Sequence, residues 1–310
     1  MEEDMQYIRN TIEFEIEEST VITLGKFDGL HKGHQLLTNR ILEIGKSGLK
    51  TVVFTFNIPP NNLLKGKEQQ VLLTNDEKYQ MLDKMRVDYL IECPFLPEVV
   101  QMEPEVFIRD ILIGKLHVKH IVVGKDFRFG YQRKGDYRLL QKLSEVYNYV
   151  VEVLEKEQID GRDISSTYIK EEILKGNMEQ AAQMLGYPYS VSGEIIHGKE
   201  LGRTIGIPTI NIQLDALKLA PPNGVYVSKT EVDGALYSGI TNIGYNPTVS
   251  TKAKKVIETH LFECNQDLYG KYVKVELFKY RRPEMKFDSL EELTEAMRED
   301  ISFGKEYFHE

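Results

Sequence analysis

Residues 21–40 read VITLGKFDGLHKGHQLLTNR, and this stretch decides the first half of the fold. The run 21–24 is apolar or β-branched, the composition of a short buried strand. Gly25, Gly29 and Gly33 then punctuate a turn. From His34 onward, Leu37, Ile41 and Ile44 recur at helical spacing. Strand, glycine-rich loop and helix therefore follow one another. A helix start leaves backbone N–H groups unpaired and favours an anion. His31 and His34 flank Gly33 in that loop. The glycines alone fit a plain strand-to-helix junction equally well. Imidazoles beside free N–H groups suit a polyphosphate that gains charge at one phosphorus.

Downstream the pattern alternates. Strands are expected at 51–56 (TVVFTF), 89–91, 120–123 (HIVV) and 149–154 (YVVEVL). Helices are expected from the T-x-x-E capping box at Thr74 and Glu77, from Pro104 through Leu112, and over 136–146. Alternating β and α elements predict a parallel sheet with helices on both faces, and ligands bind beyond the carboxyl ends of such strands. The loop 124–130, GKDFRFG, follows one of them. Phe127 and Phe129 could stack on a planar ring and Arg128 could hold a phosphate, unless the phenylalanines tuck into the core. Ile164 is followed by Ser165, Ser166 and Thr167 and then a helical run, 168–174. Those hydroxyls suit an N-cap and a phosphate alike.

The second half reads differently. Gly176 stops one helix, and Asn177 with Gln180 forms a capping box for the next, whose Ala181, Met184 and Leu185 face inward. A domain boundary near Gly186 gives domains 1–186 and 187–310. From Ser190 the period becomes two, with strands at 191–196, 224–230, 236–240, 256–261 and 272–280. That predicts a small antiparallel barrel. A last helix starts at Ser289, capped through Glu292, with Leu290, Leu293, Met297 and Ile301 as its apolar stripe. The loop 197–211 contains Gly198, Gly202, Arg203 and Gly206, a set able to cradle phosphates although no GK[ST] follows. Thr209 and Asn211 alternate outward and offer oxygen to a hard cation such as Mg²⁺. A hairpin loop is the plain alternative.

The totals bound the function class. Net charge is −9 with acids and bases interspersed, which argues against a nucleic-acid surface. Apolar content of 41 % suits two real cores. Cys93 and Cys264 are far apart, without metal-ligand spacing or a disulfide framework. The opening MEEDMQYIRN is not a signal peptide, and no apolar run reaches membrane-spanning length. The expectation is a cytoplasmic protein without a membrane partner.

His31-Lys32-Gly33-His34 resembles the HxGH signature of the nucleotidyltransferases. The longer GKFDGLHKGH is similar to the FAD synthetase branch, the bacterial bifunctional riboflavin kinase/FMN adenylyltransferases. The 124–130 loop resembles the VGxDFRFG motif of that family, and GRTIGIPTIN at 202–211 resembles the GRxxGxPTxN signature of riboflavin kinases. Further agreement runs through 223–226, 242–248, 258–260, 268–270, 282–284 and Phe287, so the resemblance spans the chain from about Val21 to the last helix.

The resemblance implies a Rossmann-like nucleotidyltransferase domain followed by a riboflavin-kinase barrel. It implies phosphorylation of riboflavin to FMN and adenylylation of FMN to FAD, with ATP and Mg²⁺. By resemblance, Glu258 is the base of the kinase reaction, and His31 and His34 serve adenylyl transfer. Gly25, Phe27, Asp28, Gly29, Asp126, Arg128, Ser165, Ser166, Thr167, Gly202, Arg203 and Gly206 line nucleotide or phosphate. Phe127, Phe129 and Arg282 meet flavin, and Thr209 and Asn211 hold Mg²⁺. The sequence departs from the family's pattern twice. Ile58-Pro59-Pro60 stands where a Pro-His-Pro loop is usual, and Tyr168 and Lys170 stand where arginines are usual. These departures leave a riboflavin kinase with a weakened or inactive adenylyltransferase half as the alternative. A flavin-binding scaffold would not require Glu258 and Thr209 with Asn211. A dehydrogenase would need G-x-G-x-x-G after the first strand.

Overall fold

The computed structural model describes residues 4–57, 70–198, 201–245, 255–264 and 266–309. The loop containing Ile58, Pro59 and Pro60 and the motif residues 246–248 lie outside the described residues. The chain forms two compact units that divide between Ser165 and Ser166.

The first unit contains β1 (Gln6–Arg9), β2 (Thr20–Leu24), β3 (Lys50–Phe56), β4 (Tyr89–Cys93) and β5 (Val118–Gly124). A short ribbon, β6 (Arg128–Phe129) with β7 (Gly135–Asp136), follows, then β8 (Val150–Leu154) and a second ribbon, β9 (Gln158–Ile159) with β10 (Arg162–Asp163). The main sheet has the order β1-β4-β3-β2-β5-β8, and every pairing in it is parallel. β2 and β4 are buried throughout, as strands covered on both faces must be. Alternation sends Ile22, Leu24, Val52, Phe54 and Ile91 into one core layer and Val21, Val53, Leu90 and Val122 into the other.

Helices α1 (Lys32–Gly45), α2 (Asn75–Lys84) and α3 (Tyr137–Tyr147) connect the strands. The Thr74–Glu77 capping box is present. The helix starting at Pro104 continues as a π-helical stretch, Phe107–Ile113. β1 lies in the opening stretch, where no strand is expected from the sequence. Its sequence, QYIR, has no apolar run, and it is an edge strand paired with β4.

The second unit opens with α4 (Ser166–Lys175) and α5 (Met178–Leu185). The sequence boundary near Gly186 assigned both helices to the first half. In the structure α5 packs on strand Tyr272–Arg282 and is tied to it by Glu179 and Lys279 at 3.0 Å. The Asn177 side chain does not cap α5. It donates instead to Glu172 Oε2 at 2.6 Å.

A closed barrel follows, built from β11 (Tyr189–Ile196), β12 (Ile210–Gln213), β13 (Gly224–Val232), β14 (Ala235–Tyr245), β15 (Lys255–Leu261) and β16 (Tyr272–Arg282). The order is β11-β12-β15-β14-β13-β16 with antiparallel pairing, which leaves no sheet edge. β12 overlaps the end of the expected 197–211 loop, and its four residues, INIQ, are too few to show a period in sequence. α6 (Leu290–Phe308) lies over the barrel, capped by Ser289. Ile301, Phe303, Tyr307 and Phe308 pack on Val225, Val227, Ile240 and Phe262. The expected stripe therefore shifts toward the C-terminus, and Leu290 is exposed. Among the described residues no helix is long and apolar enough to cross a membrane.

Candidate active sites

In the first unit the loop after β2 turns sharply into α1. Phe27, Gly29 and Leu30 all have positive φ, at 47°, 87° and 36°. Gly29 adopts this region without cost, whereas a non-glycine residue there carries about 1–3 kcal/mol of strain. The buried Phe27 and Leu30 side chains hold the backbone in that shape. His31 is the N-cap residue of α1, but its ring makes no cap bond. Instead it stacks on the His34 ring at 3.7 Å, and His34 lies 5.0 Å from the Phe27 ring.

His31 is buried and His34 half-buried, and desolvation is the main reason both resist protonation. His31 is pushed down to about 4, with the positive charge of Lys156 adding to burial and Asp28 and Asp126 opposing it. His34 is pushed well below the ordinary imidazole range by burial, then by His31, Lys156 and Lys78. Each ring is neutral at pH 7. The Nδ1 atoms of both are buried without a hydrogen-bond partner among the described residues. A neutral imidazole keeps one N–H donor, so the pair presents donors without a full charge.

The surrounding residues separate into different roles. Asp28 Oδ1 accepts from Leu72 N–H at 2.6 Å and from Leu73 N–H at 3.4 Å, so its carboxylate ties the segment before α2 to the loop. Asp126 is exposed and pairs with Lys156 at 2.7 Å. Arg128 Nη1 donates to Phe127 O at 2.8 Å and lies 4.0 Å from Asp136. Phe127 stacks on Phe129 at 5.4 Å. Phe129 is buried against Phe107, which leaves the half-buried Phe127 as the ring nearer solvent. Gly25 N–H donates to Phe54 O at 3.1 Å, closing the loop onto β3. Ser165 ends the first unit, while Ser166 and Thr167 open α4 in the second.

In the second unit, strand pairing assembles the site. Asn211 of β12 lies opposite Glu258 of β15, and Glu258 lies opposite Asn242 of β14. The three form one row on the outer face, because the intervening Ile257 and Thr259 are buried in the barrel. Asn211 is itself buried and Glu258 half-buried. Thr209 immediately precedes β12. His260, two residues beyond Glu258, donates from Nδ1 to Pro208 O at 2.8 Å and so anchors the approach to Thr209.

Upstream, Ile207 N–H donates to Gly202 O at 2.8 Å and Gly206 N–H to Arg203 O at 3.2 Å. A Cβ at Gly202 would collide with Ile207 O, so only glycine fits this closed turn. Beside it is a cavity of about 80 Å³ whose lining includes Arg203, Thr209, Thr259, Gln266, Asp267 and Tyr269. Tyr269 stacks on His197 at 3.8 Å. Arg282 is tied to the last helix. Its Nε and Nη2 bind the buried Asp300 at 3.0 and 2.6 Å, and Nη1 donates to Pro283 O at 3.2 Å. That guanidinium is engaged within the fold.

Comparison with known proteins meets this geometry at both units. An FAD synthetase family model matches residues 13–168, and a riboflavin kinase model matches 185–308. The chain belongs to the bifunctional riboflavin kinase/FMN adenylyltransferase family. A relative of that name from Buchnera aphidicola (subsp. Acyrthosiphon pisum) is 38 % identical over 95 % of each chain. One from Bacillus subtilis is 36 % identical over 95 % of this chain and 94 % of its own. A crystal structure described as a macrolide-efflux protein from Streptococcus pneumoniae superposes with a TM-score of 0.86 at 30 % identity. That match covers 97 % of this chain and 98 % of the other.

Within the family frame, the structure brings together His31 with His34, and Thr209, Asn211 and Glu258 with the 202–206 turn. Asn242, His260, Tyr269, Lys78 and Lys156 enter these surroundings without having been singled out as site residues. Asn242 was visible as part of a motif, but its place beside Glu258 depends on barrel register. Lys78 and Lys156 belong to no motif.

Proposed function

We propose that the chain makes FAD from riboflavin in two steps at two separate sites. The second unit transfers the γ-phosphoryl group of ATP to the 5′-hydroxyl of riboflavin, giving FMN. The first unit joins the FMN phosphate to the α-phosphorus of ATP, and pyrophosphate leaves. The observation that carries this reading is that one chain holds both a stacked, neutral histidine pair at a helix start and a Glu258-centred row across three barrel strands.

At the kinase site Glu258 takes the proton of the attacking hydroxyl. In the row it lies between two neutral amides, Asn211 and Asn242, and a carboxylate within reach of the hydroxyl serves as its base. The 202–206 turn and Arg203 take up phosphate charge. The Thr209 hydroxyl and the Asn211 amide oxygen are hard, neutral donors, a set that fits Mg²⁺ shared with phosphates and water. Mg²⁺ there would neutralise phosphate charge during transfer.

At the adenylyl site the FMN phosphate oxygen bonds to the α-phosphorus while the bond to the β-phosphate breaks. No proton need move for this displacement. His31 and His34, with the α1 backbone N–H groups, donate to the oxygens that gain charge. Phe127 supplies a ring face for a planar group.

The test is product analysis of the full chain with riboflavin or FMN, ATP and Mg²⁺. FAD from riboflavin is the expected product. His34→Gln should lower FAD formation by roughly 10²–10³-fold and spare FMN formation, the size seen when a donor to a developing oxyanion is lost. Glu258→Gln should do the reverse when FMN is supplied. A wild-type reaction that stops at FMN would favour the kinase-only reading raised by Tyr168 and Lys170. Loss of both activities in folded His34→Gln protein would overturn the two-site assignment.

A further inference from the structure

Lys156 lies two residues beyond β8, at the carboxyl end of the parallel sheet. The segment that carries it is fastened to the loop after β5. Lys125 N–H donates to Leu154 O at 3.2 Å, and Lys125 Nζ pairs with Glu155 at 2.7 Å. Lys156 Nζ sits 2.7 Å from Asp126 Oδ2, with the lysine side chain 31 % exposed and the aspartate 66 %. The ammonium is thus the sheltered partner and its counterion the solvated one. A pair of this exposure contributes only about 0–1 kcal/mol to folding, so stability gives it little reason to exist.

The location explains more. The charges of Asp126 and Lys156 both act on His31, and the charge of Lys156 acts on His34 as well. The histidines are neutral, so they bring no formal positive charge to a polyphosphate. Lys78, the other ammonium acting on His34, is buried and neutralised by Glu92 at 2.7 Å. Lys156, by contrast, has a solvated counterion that water can replace.

The geometry points to Lys156 as a phosphate-binding residue of the adenylyl-transfer site, held at rest by Asp126 and given up to the polyphosphate of a nucleoside triphosphate. The inference rests on adenylyl transfer taking place at His31 and His34. As the new bond to the α-phosphorus forms, the electron pair of the breaking bond leaves with pyrophosphate. Lys156 neutralises that leaving charge and transfers no proton.

The experiment is steady-state FAD formation from FMN, ATP and Mg²⁺ by the full chain. Lys156→Gln should raise KM for ATP about tenfold, the loss of one charge-assisted hydrogen bond, with KM for FMN unmoved. Lys156→Arg should recover most of the affinity. Asp126→Asn should lower KM for ATP by freeing the ammonium, and the double variant should behave like Lys156→Gln. An unchanged KM for ATP in Lys156→Gln would overturn the inference. So would a double variant restored to wild-type KM, since Lys156 would then serve only to neutralise Asp126. His34→Gln run in parallel separates the two readings. If it abolishes FAD formation while Lys156→Gln changes nothing, the site stands and the lysine falls. If it leaves FAD formation intact, the site itself is misplaced.

Discussion

Replacing Asp300 by Asn tests whether Arg282 is a latch of the fold or a contact for flavin. Asp300 is 3 % exposed on α6, and its carboxylate receives Arg282 Nε and Nη2 from the end of β16. The Arg281 guanidinium lies 4.2 Å over the Phe303 ring on the same helix. Asparagine keeps the size but loses the charge and one acceptor oxygen, leaving a largely buried guanidinium uncompensated. Breaking a buried pair from one side costs about 3–5 kcal/mol. The arginine retains some solvent, at 19 % exposure, which favours the lower end of that range.

Unfolding entropy of roughly 2 cal/mol/K per residue, over the second unit (166–310), makes about 3 kcal/mol equal to a Tm loss of roughly 10 °C. The assay is thermal unfolding of the full chain by circular dichroism, paired with FMN-forming activity remaining after heating. Well below the transition, KM for riboflavin should equal that of the wild type. A Tm within about 2 °C of wild type, with a raised KM for riboflavin, would refute the latch and return Arg282 to the flavin.

Two further outcomes follow from buried charge in the first unit. His31 binds its proton only near pH 4 in the folded chain, whereas an unfolded histidine does so near 6.5. Between those values the unfolded state carries more protons, so stability rises with pH there and is lost as pH falls from about 6.5 toward 4, by on the order of 3 kcal/mol. Urea unfolding followed against pH should show this loss, and His31→Gln should reduce it. Separately, Lys78 and Glu92 form a nearly dry pair, to which the Tyr7 hydroxyl also donates. Lys78→Met alone should cost about 3–5 kcal/mol, while Lys78→Met with Glu92→Leu should return most of it, measured by denaturant midpoints.

The layer architecture was legible because both periodicities are strong. Near-continuous apolar strands separated by helical stretches fit a sheet covered by helices on both faces, and alternating strands after Ser190 bury one face, as the strands of a barrel do. What escaped notice was short or long-range. β1 and β12 have four residues each, too few to establish a period. Phe129 and Phe127 look alike in sequence, and only packing on Phe107 separates the core ring from the outer one. Asp28 reads as a ligand beside the histidines until the backbone of Leu72 and Leu73 is seen to occupy it. Arg282 reads as part of a motif, yet its partner is Asp300 on a helix that the motif does not include.

The two sites differ in how much of the fold each needs. His31 and His34 are three residues apart and are delivered by a single loop and helix start, so their stacking is specified locally. The kinase row is specified globally. Asn211, Glu258 and Asn242 come from three strands and meet only in one register. A slip of one residue in β15 would turn Glu258 into the barrel and bring the buried Thr259 outward. Thr259 resists that slip, since its hydroxyl is 2.8 Å from Thr241 Oγ1, which in turn bonds Ser228 Oγ inside the barrel. An interior hydroxyl chain thereby fixes which way the Glu258 carboxylate points. Thr259→Val should therefore damage FMN formation through register. The consequence to measure is a fall in kcat, with FAD formation from supplied FMN unchanged. A Thr259→Val protein with full kinase activity would show that backbone pairing alone holds Glu258 in place.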